Sequence, residues 1–161
     1  MKKVAVLMGS DSDLPIVQKA VDTLASFSVP YEVHVFSAHR TPEEAAALSR
    51  TAREKGLGAI IAAAGMAAHL AGAIAANTTL PVIGVPVQSH ALSGWDSLLS
   101  IVQMPGGIPV ATTAIGKSGA TNAGLLAISM LSMTDERLAN ELQEYRDDLK
   151  QKVDESNAKL V

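Results

Sequence analysis

The chain has 161 residues, enough for one domain with a sizeable buried core. Its 13 Lys and Arg residues nearly balance its 16 Asp and Glu residues, and the lack of a basic stripe argues against nucleic acid as a partner. The chain contains no Cys, which excludes disulfides and thiolate metal sites and favours a reducing, cytoplasmic location.

The first predicted element is a strand buried on both faces, the apolar run Lys3–Met8. The run is too short for a signal peptide. Ser10, Ser12 and Asp13 follow it and precede a helix that begins near Leu14. A helix N-terminus offers free N–H groups to an anion, so this loop predicts a phosphate site in which both hydroxyls donate and Asp13 accepts from a sugar. Simple capping by Ser12 or Asp13 is the alternative, and the two roles are compatible.

The second predicted strand, Tyr31–Phe36, leads into the polar stretch 37–42. Within it, Ser37, His39 and Arg40 offer a hydroxyl, a group that titrates near neutral pH and a fixed cation. Open parallel sheets bind ligands at this position, after a strand and before a helix. The alternative is an ordinary capped loop with a solvated His and Arg.

An amphipathic helix is predicted over residues 42–55, with Gly56 ending it. Thr41 is the expected N-cap and Pro42 the first helical residue. Glu44 lies where it would complete a capping box with Thr41.

A third buried strand is predicted over Ala59–Ala63, followed by a turn that carries Gly65 and His69 into a short helix. A lone His among alanines is more often a hydrogen-bonded core residue than a catalyst. His69 remains a candidate because it too follows a strand.

Strands and helices continue to alternate, which predicts a three-layer α/β/α fold with a parallel sheet. From Thr134 the charge density rises, and the spacing of apolar residues predicts a C-terminal helix with one apolar stripe. The stripe could pack on its own domain or on a neighbouring subunit. The later predicted elements are a strand at Pro81–Pro86, a helix at Trp95–Val102, a strand at Val110–Thr113 and a helix at Ser118–Met133.

Between Gly56 and Met133 the only charged residues are Asp96 and Lys117. Residues 57–76 have the length of a membrane span, but the segment is mostly Ala and Gly and carries a central His. We therefore expect no membrane segment and attribute the uncharged surface to contacts between subunits of a homo-oligomer.

No spacing of His and carboxylates indicates a metal site, and no nucleophile elbow or dinucleotide fingerprint is present. Three loops that each follow a strand are expected to meet at one sheet edge. Their side chains predict a small-molecule site for a phosphorylated substrate, with acid–base chemistry that needs neither metal nor cofactor.

Five segments, spread in order along the chain, resemble the class I PurE family of N5-carboxyaminoimidazole ribonucleotide mutases in purine biosynthesis; they are residues 9–13, 37–42, 67–70, 81–89 and 96–105. The resemblance implies a single domain over residues 1–161 with a flavodoxin-like fold. It also implies a homo-octamer in which the C-terminal helix, about residues 134–161, packs on a neighbour. The implied reaction moves a carboxylate from the exocyclic nitrogen of an imidazole ribonucleotide to ring carbon C4, through released and recaptured carbon dioxide.

By the same resemblance, His39 and His69 are the catalytic residues, with His39 as the acid–base. Arg40 would bind the phosphate. The resemblance leaves as alternatives a class II-type carboxylase that uses free carbon dioxide and a catalytically impaired nucleotide-binding paralogue. The other implied substrate-binding residues are Ser10, Ser12 and Asp13 near the ribose phosphate, Ser37 and Gly65 near the carboxylate, and Ala38 and Leu70.

Three positions depart from the family pattern. The family loop usually reads Gly-Gly-Ala-Ala-His-Leu-Pro-Gly, whereas here Met66 replaces the second Gly and Ala71 the Pro. A Met is expected to avoid positive φ, its bulk to narrow the carbon dioxide pocket, and Ala71 to loosen the start of the helix. His90 is an extra titratable group that we expect at the surface or at an interface.

Overall fold

A computed structural model describes residues 1–160. Its centre is a five-stranded, all-parallel sheet with the strand order β2-β1-β3-β4-β5. The strands are β1 (Lys3–Met8), β2 (Tyr31–Val35), β3 (Leu57–Gly65), β4 (Val82–Val87) and β5 (Ala111–Thr112). The helices are α1 (Leu14–Ser26), α2 (Pro42–Thr51), α3 (Leu70–Ala75), α4 (Trp95–Val102), α5 (Lys117–Ser132) and α6 (Glu136–Ala158), with a 3₁₀ turn at Asp11–Asp13.

Helices cover both faces of the sheet, as the alternation of strands and helices predicts. Along β1, Val4, Val6 and Met8 pack with α1, α5 and the start of α6. Ala5 and Leu7 point the other way and pack with α2, α3 and Ile101 of α4. Successive strand side chains alternate between faces, so one apolar run supplies two cores. The fold is therefore a flavodoxin-like α/β/α sandwich.

The small residues of the uncharged span bring a helix close to the sheet. Gly84 lies in β4, and a Cβ atom there would collide with the side chain of Ile101 in α4. Ala71 of α3 is buried against the same glycine. The Ala and Gly content of the uncharged span thus serves close packing within the domain, and no helix in the described chain combines the length and hydropathy needed to cross a bilayer.

Element bounds differ from the sequence prediction most clearly at α2, β3 and β5, and by one residue at an end of several other elements. Helix α2 ends at Thr51 because the chain turns before Gly56, whose φ of 78° suits glycine. Strand β5 is only two residues long, and β3 extends from Leu57 to Gly65. These are end effects that leave the order of elements unchanged.

The C-terminal helix α6 has two unlike halves. Leu138 is fully buried, and Tyr145 packs on Phe27 with ring centroids 5.8 Å apart. Farther along, Leu149 and Val153 are 45% and 59% exposed. The first half of the apolar stripe therefore packs on its own domain, while contact of the second half with a neighbouring subunit stays a prediction.

Candidate active site

The carboxyl ends of β1, β2 and β3 bring the three predicted loops together. Because β1 lies between β2 and β3, the three loops are neighbours at one edge of the sheet. Arg40 Nη2 in the second loop donates to the carbonyl oxygen of Gly9 in the first, at 3.1 Å. His39 Nε2 in the second loop lies 2.7 Å from His69 Nδ1 in the third. The predicted convergence of the three loops is confirmed by these two contacts.

The second loop is held by its own hydroxyl groups. The Ser37 hydroxyl accepts from the backbone N–H groups of His39, at 3.3 Å, and Arg40, at 3.1 Å. The Thr41 hydroxyl accepts from the N–H of Ser37 at 2.8 Å and donates to the Ser37 carbonyl at 3.2 Å. These two hydrogen bonds between Ser37 and Thr41 close the loop, and His39 and Arg40 remain exposed.

The predicted capping box is therefore wrong. Thr41 is the N-cap residue and Pro42 starts α2, but the Thr41 side chain makes no capping hydrogen bond to the helix. Its hydroxyl is already used by Ser37. A Thr hydroxyl can bond either to the N–H groups of a helix start or to nearby loop backbone. Here the Thr41 hydroxyl bonds to the loop.

The first loop is a compact turn of hydroxyl groups. Ser10 Oγ accepts from the N–H of Ser12 at 3.3 Å and lies 2.9 Å from the Ser12 hydroxyl, which donates to it. Ser10 thus caps the 3₁₀ turn, whereas the sequence analysis expected Ser12 or Asp13 to cap α1. Asp13 makes no capping bond with its side chain, so its carboxylate is not committed to α1.

Asp13 is the one buried acidic residue among the predicted site residues, with 8% of its surface exposed. Burial raises the pKa of its carboxyl; a hydrogen bond with the Ser10 backbone opposes the rise, and the nearby charge of Asp11 adds to it. A carboxylate can accept about four hydrogen bonds, so one bond with the Ser10 backbone leaves room to accept from a sugar hydroxyl.

A cavity of about 300 Å³ opens between the first two loops. Its size is at the lower end of small-molecule sites, which occupy roughly 300–1,000 Å³. Arg40 supplies a guanidinium and Ser10 and Ser37 supply hydroxyls, a set that suits a phosphate. The lining residues are Gly9, Ser10, Asp11, Val35, Ser37, Arg40 and Thr41.

The third loop holds Met66 in a conformation that the sequence analysis did not expect. Met66 has a φ of 53°, in the left-handed region, and its side chain is 67% exposed. The expectation that Met avoids positive φ here is wrong, and such a conformation of a non-glycine residue stores backbone strain. Helix α3 begins at Leu70, and the expected loosening of its start by Ala71 stays a prediction.

Two predicted binding residues have side chains that pack in the core. The side chain of Leu70 is 1% exposed and belongs to the core, and that of Ala38 packs against the same core cluster. His90 is exposed, as predicted for a surface residue. No group of three or more His, Asp or Glu side chains in the part of the chain that the structure describes could hold a metal ion.

Sequence reasoning missed three contributors to this edge. One is the Gly9 carbonyl, which holds Arg40. The other two form a contact after β4, where the Ser89 hydroxyl donates to the Asp96 carboxylate at 2.9 Å. Asp96 carried a signal, as one of two charges in a span otherwise free of them, whereas a backbone carbonyl carries none.

Comparison with known proteins covers nearly the whole chain. A Bacillus subtilis protein named N5-carboxyaminoimidazole ribonucleotide mutase is 61% identical over 158 residues, which is 98% of this chain and 98% of that protein. A Pyrococcus abyssi protein of the same name is 56% identical and covers 93% of this chain and 85% of its own length. The crystal structure of Treponema denticola PurE superposes with a TM-score of 0.87 at 28% identity, covering 99% of both chains.

The sequence profile described as AIR carboxylase matches residues 3–152, more than nine-tenths of the chain. With this match and relatives above 50% identity, the chain belongs to the AIR carboxylase family.

Proposed function

We propose that the chain is an N5-carboxyaminoimidazole ribonucleotide mutase, an isomerase of purine (IMP) biosynthesis. The observation that carries the proposal is a cavity with a cation and hydroxyl groups next to a pair of imidazoles at one sheet edge. The name of the Bacillus subtilis relative, at 61% identity, supports it. The product would be 4-carboxy-5-aminoimidazole ribonucleotide.

The ribose phosphate of the substrate would bind in the cavity beside Arg40. One donor of the guanidinium is fixed on the Gly9 carbonyl, which leaves other N–H groups for phosphate oxygens. The Ser10 and Ser12 hydroxyls would turn from each other toward the phosphate. Asp13, buried and not used as a cap, would accept from a ribose hydroxyl.

The imidazole ring of the substrate would lie between the second and third loops. His39 would exchange protons with it, while Ser37, Gly65 and His69 would line the space for the carboxylate and for released carbon dioxide. The proposed step is an isomerisation: the carbon–nitrogen bond to the carboxylate and the C4–H bond are broken, and a carbon–carbon bond and an N–H bond are formed. That no metal or cofactor takes part remains an expectation.

Turnover by the purified protein tests the proposal. We expect conversion of N5-carboxyaminoimidazole ribonucleotide in buffer stripped of bicarbonate. Turnover that requires the unsubstituted ribonucleotide together with bicarbonate would assign the chain to the carboxylases. Binding of both ribonucleotides without turnover would indicate an impaired paralogue.

His39→Asn tests the acid–base assignment. General acid–base catalysis contributes about 10²–10⁴-fold, so we expect a loss of kcat of that size with ribonucleotide binding retained. His90→Asn is the matched control, because His90 is exposed and lies outside the three loops. Full activity of His39→Asn would remove this residue from the mechanism.

We further propose that the chain assembles as a homo-oligomer, with an octamer as the expected form. Support comes from exposed apolar side chains on and beside α4, where Leu92, Trp95 and Leu99 are 57%, 62% and 52% exposed. Light scattering would detect a particle of several times the 16.7 kDa chain mass, and a stable monomer would contradict the proposal. A cytoplasmic location also remains a prediction.

A further inference from the structure

Asp11 is the only acidic residue that lines the cavity beside Arg40. Binding of a phosphate there uses the hydroxyl groups and the guanidinium, and a carboxylate has no favourable part in it. Asp11 is exposed, and across residues 1–160 it forms no ion pair. An unpaired carboxylate in a cavity that suits phosphate opposes the binding of that anion, because like charges repel.

A directed chain of hydrogen bonds ends on the Asp11 carboxylate. The Ser12 hydroxyl donates to Ser10 Oγ at 2.9 Å, and the Ser10 hydroxyl donates to Asp11 Oδ1 at 3.3 Å. A serine hydroxyl has one hydrogen to donate. Both hydroxyl hydrogens are therefore used inside the turn, and the second of them is held by a negatively charged acceptor.

A phosphate needs the same groups that surround Asp11. Arg40 Nη2 donates to the carbonyl oxygen of Gly9 at 3.1 Å, so the guanidinium and the carboxylate line one cavity without pairing. A phosphate oxygen beside Arg40 competes with Asp11 for the hydrogen of Ser10. The negative charge of Asp11 also acts on its surroundings: burial is the main cause of the raised pKa of Asp13, and the charge of Asp11 adds to it.

We propose that Asp11 is an affinity-determining residue whose carboxylate takes the place of the ligand's phosphate on Ser10 and repels that phosphate. Phosphorylated ligands then bind less tightly than the other groups of the cavity would allow. This inference rests on the proposed function, in which the ligand is a ribonucleotide. Substrate and product carry the same phosphate, so Asp11 weakens the binding of both and shortens the time that the product stays bound.

The charge of Asp11 contributes more to this effect than its hydrogen bond does. At 3.3 Å the bond from Ser10 to Asp11 is longer than the about 2.5–3.0 Å usual for O–H···O bonds, so its loss costs little. Repulsion between a carboxylate and a phosphate acts over longer distances, and salt screens it. Removal of the charge should therefore raise the affinity for phosphate by about 3–30-fold at low salt.

Calorimetric titration with inorganic phosphate in low-salt buffer at pH 7 tests the proposal on the wild type, Asp11→Asn and Asp11→Ala. Asn keeps an oxygen that can accept from Ser10, whereas Ala removes the charge and the acceptor. We expect both variants to bind phosphate about 3–30-fold more tightly than the wild type, with a gain below about twofold in roughly 0.5 M sodium chloride.

Asp22→Asn is the matched control, because it changes the net charge of the chain by the same amount. Asp22 is exposed on α1, accepts from Gln18 at 2.9 Å and lies outside the cavity. Its variant should bind phosphate within about twofold of the wild type, since exposed charges separated by more than a Debye length are largely screened. Addition of Arg40→Ala to Asp11→Asn should abolish the gain, because the phosphate then loses its cation.

Equal phosphate affinity of the wild type and Asp11→Asn would overturn the proposal. So would a gain that Asp22→Asn reproduces, a gain that survives Arg40→Ala, or a lack of phosphate binding in all the variants. With the ribonucleotide as substrate, Asp11→Asn should lower KM by a factor similar to its gain in phosphate affinity. If Asp11→Asn binds phosphate more tightly and the wild type shows no mutase turnover, the proposed function fails and this inference stands, so the two failures are distinguishable.

Discussion

Met66 provides a direct test of backbone strain beside the site. It is a non-glycine residue with a φ of 53°, three positions before His69. The test compares the stability of two variants, Met66→Gly and Met66→Ala. Both variants lack the Met side chain, so their difference reports the backbone alone.

The expected magnitude follows from two opposing terms. The left-handed region costs an L-residue about 1–2 kcal/mol, which Gly does not pay. Gly in turn loses about 0.4–1 kcal/mol through the greater entropy of the unfolded chain. The Gly variant should therefore be more stable than the Ala variant by about 0.5–1 kcal/mol, or roughly 1–4 °C in Tm for a chain of this size.

The neighbouring residue gives a matched control. Ala67 is exposed like Met66 but does not have a positive φ. Ala67→Gly should destabilise by about 0.4–1 kcal/mol, since only the entropy term applies. Urea unfolding at one fixed protein concentration measures all three variants. If the Ala→Gly step destabilises position 66 as much as position 67, the strain argument is refuted.

Three further predictions concern burial. Asp13→Asn should stabilise the protein at pH 7. Because burial raises the pKa of Asp13, the wild-type protein loses stability as the pH rises from about 4 through the folded-state pKa. The stability advantage of the Asn variant should therefore vanish below that pH range. Urea unfolding at pH 7 and near pH 3.5 checks this, and an equal effect at both values would contradict it. Leu138→Ala should cost about 2–5 kcal/mol because Leu138 is fully buried. Leu149→Ala, at a position 45% exposed in the chain, should cost under about 0.5 kcal/mol unless a neighbouring subunit covers it, so a large loss there would support the predicted packing of α6 on a neighbour.

Most of the fold could be predicted from the sequence because each strand has a plain local signal. The run Lys3–Met8 is apolar at every position after its first residue, and the structure buries it on both faces. A strand in that position must be central, and adjacent parallel strands then bring their following loops together. The convergence of Ser10, His39 and His69 follows from topology alone.

The contacts within the site could not be predicted in the same way. Thr41 has a hydroxyl that can cap α2 or bind Ser37, and local sequence does not decide between the two. The contact between His39 and His69 joins residues 30 positions apart, and its 2.7 Å length depends on how two separate loops turn. Sequence patterns place residues at an edge, whereas hydrogen bonds depend on displacements of less than an ångström.

The same sheet edge concentrates features that cost stability. Asp13 is a buried carboxyl with a raised pKa, and Met66 is held at positive φ. Neither is needed for folding, since Asn or Gly would satisfy the same backbone at lower cost. Both lie in loops that follow β1 and β3, two of the three interior strands, whose buried runs supply the compensating stability. Stabilising substitutions should therefore be easiest to find at this edge, and Asp13→Asn, which stabilises the fold, should weaken ribonucleotide binding.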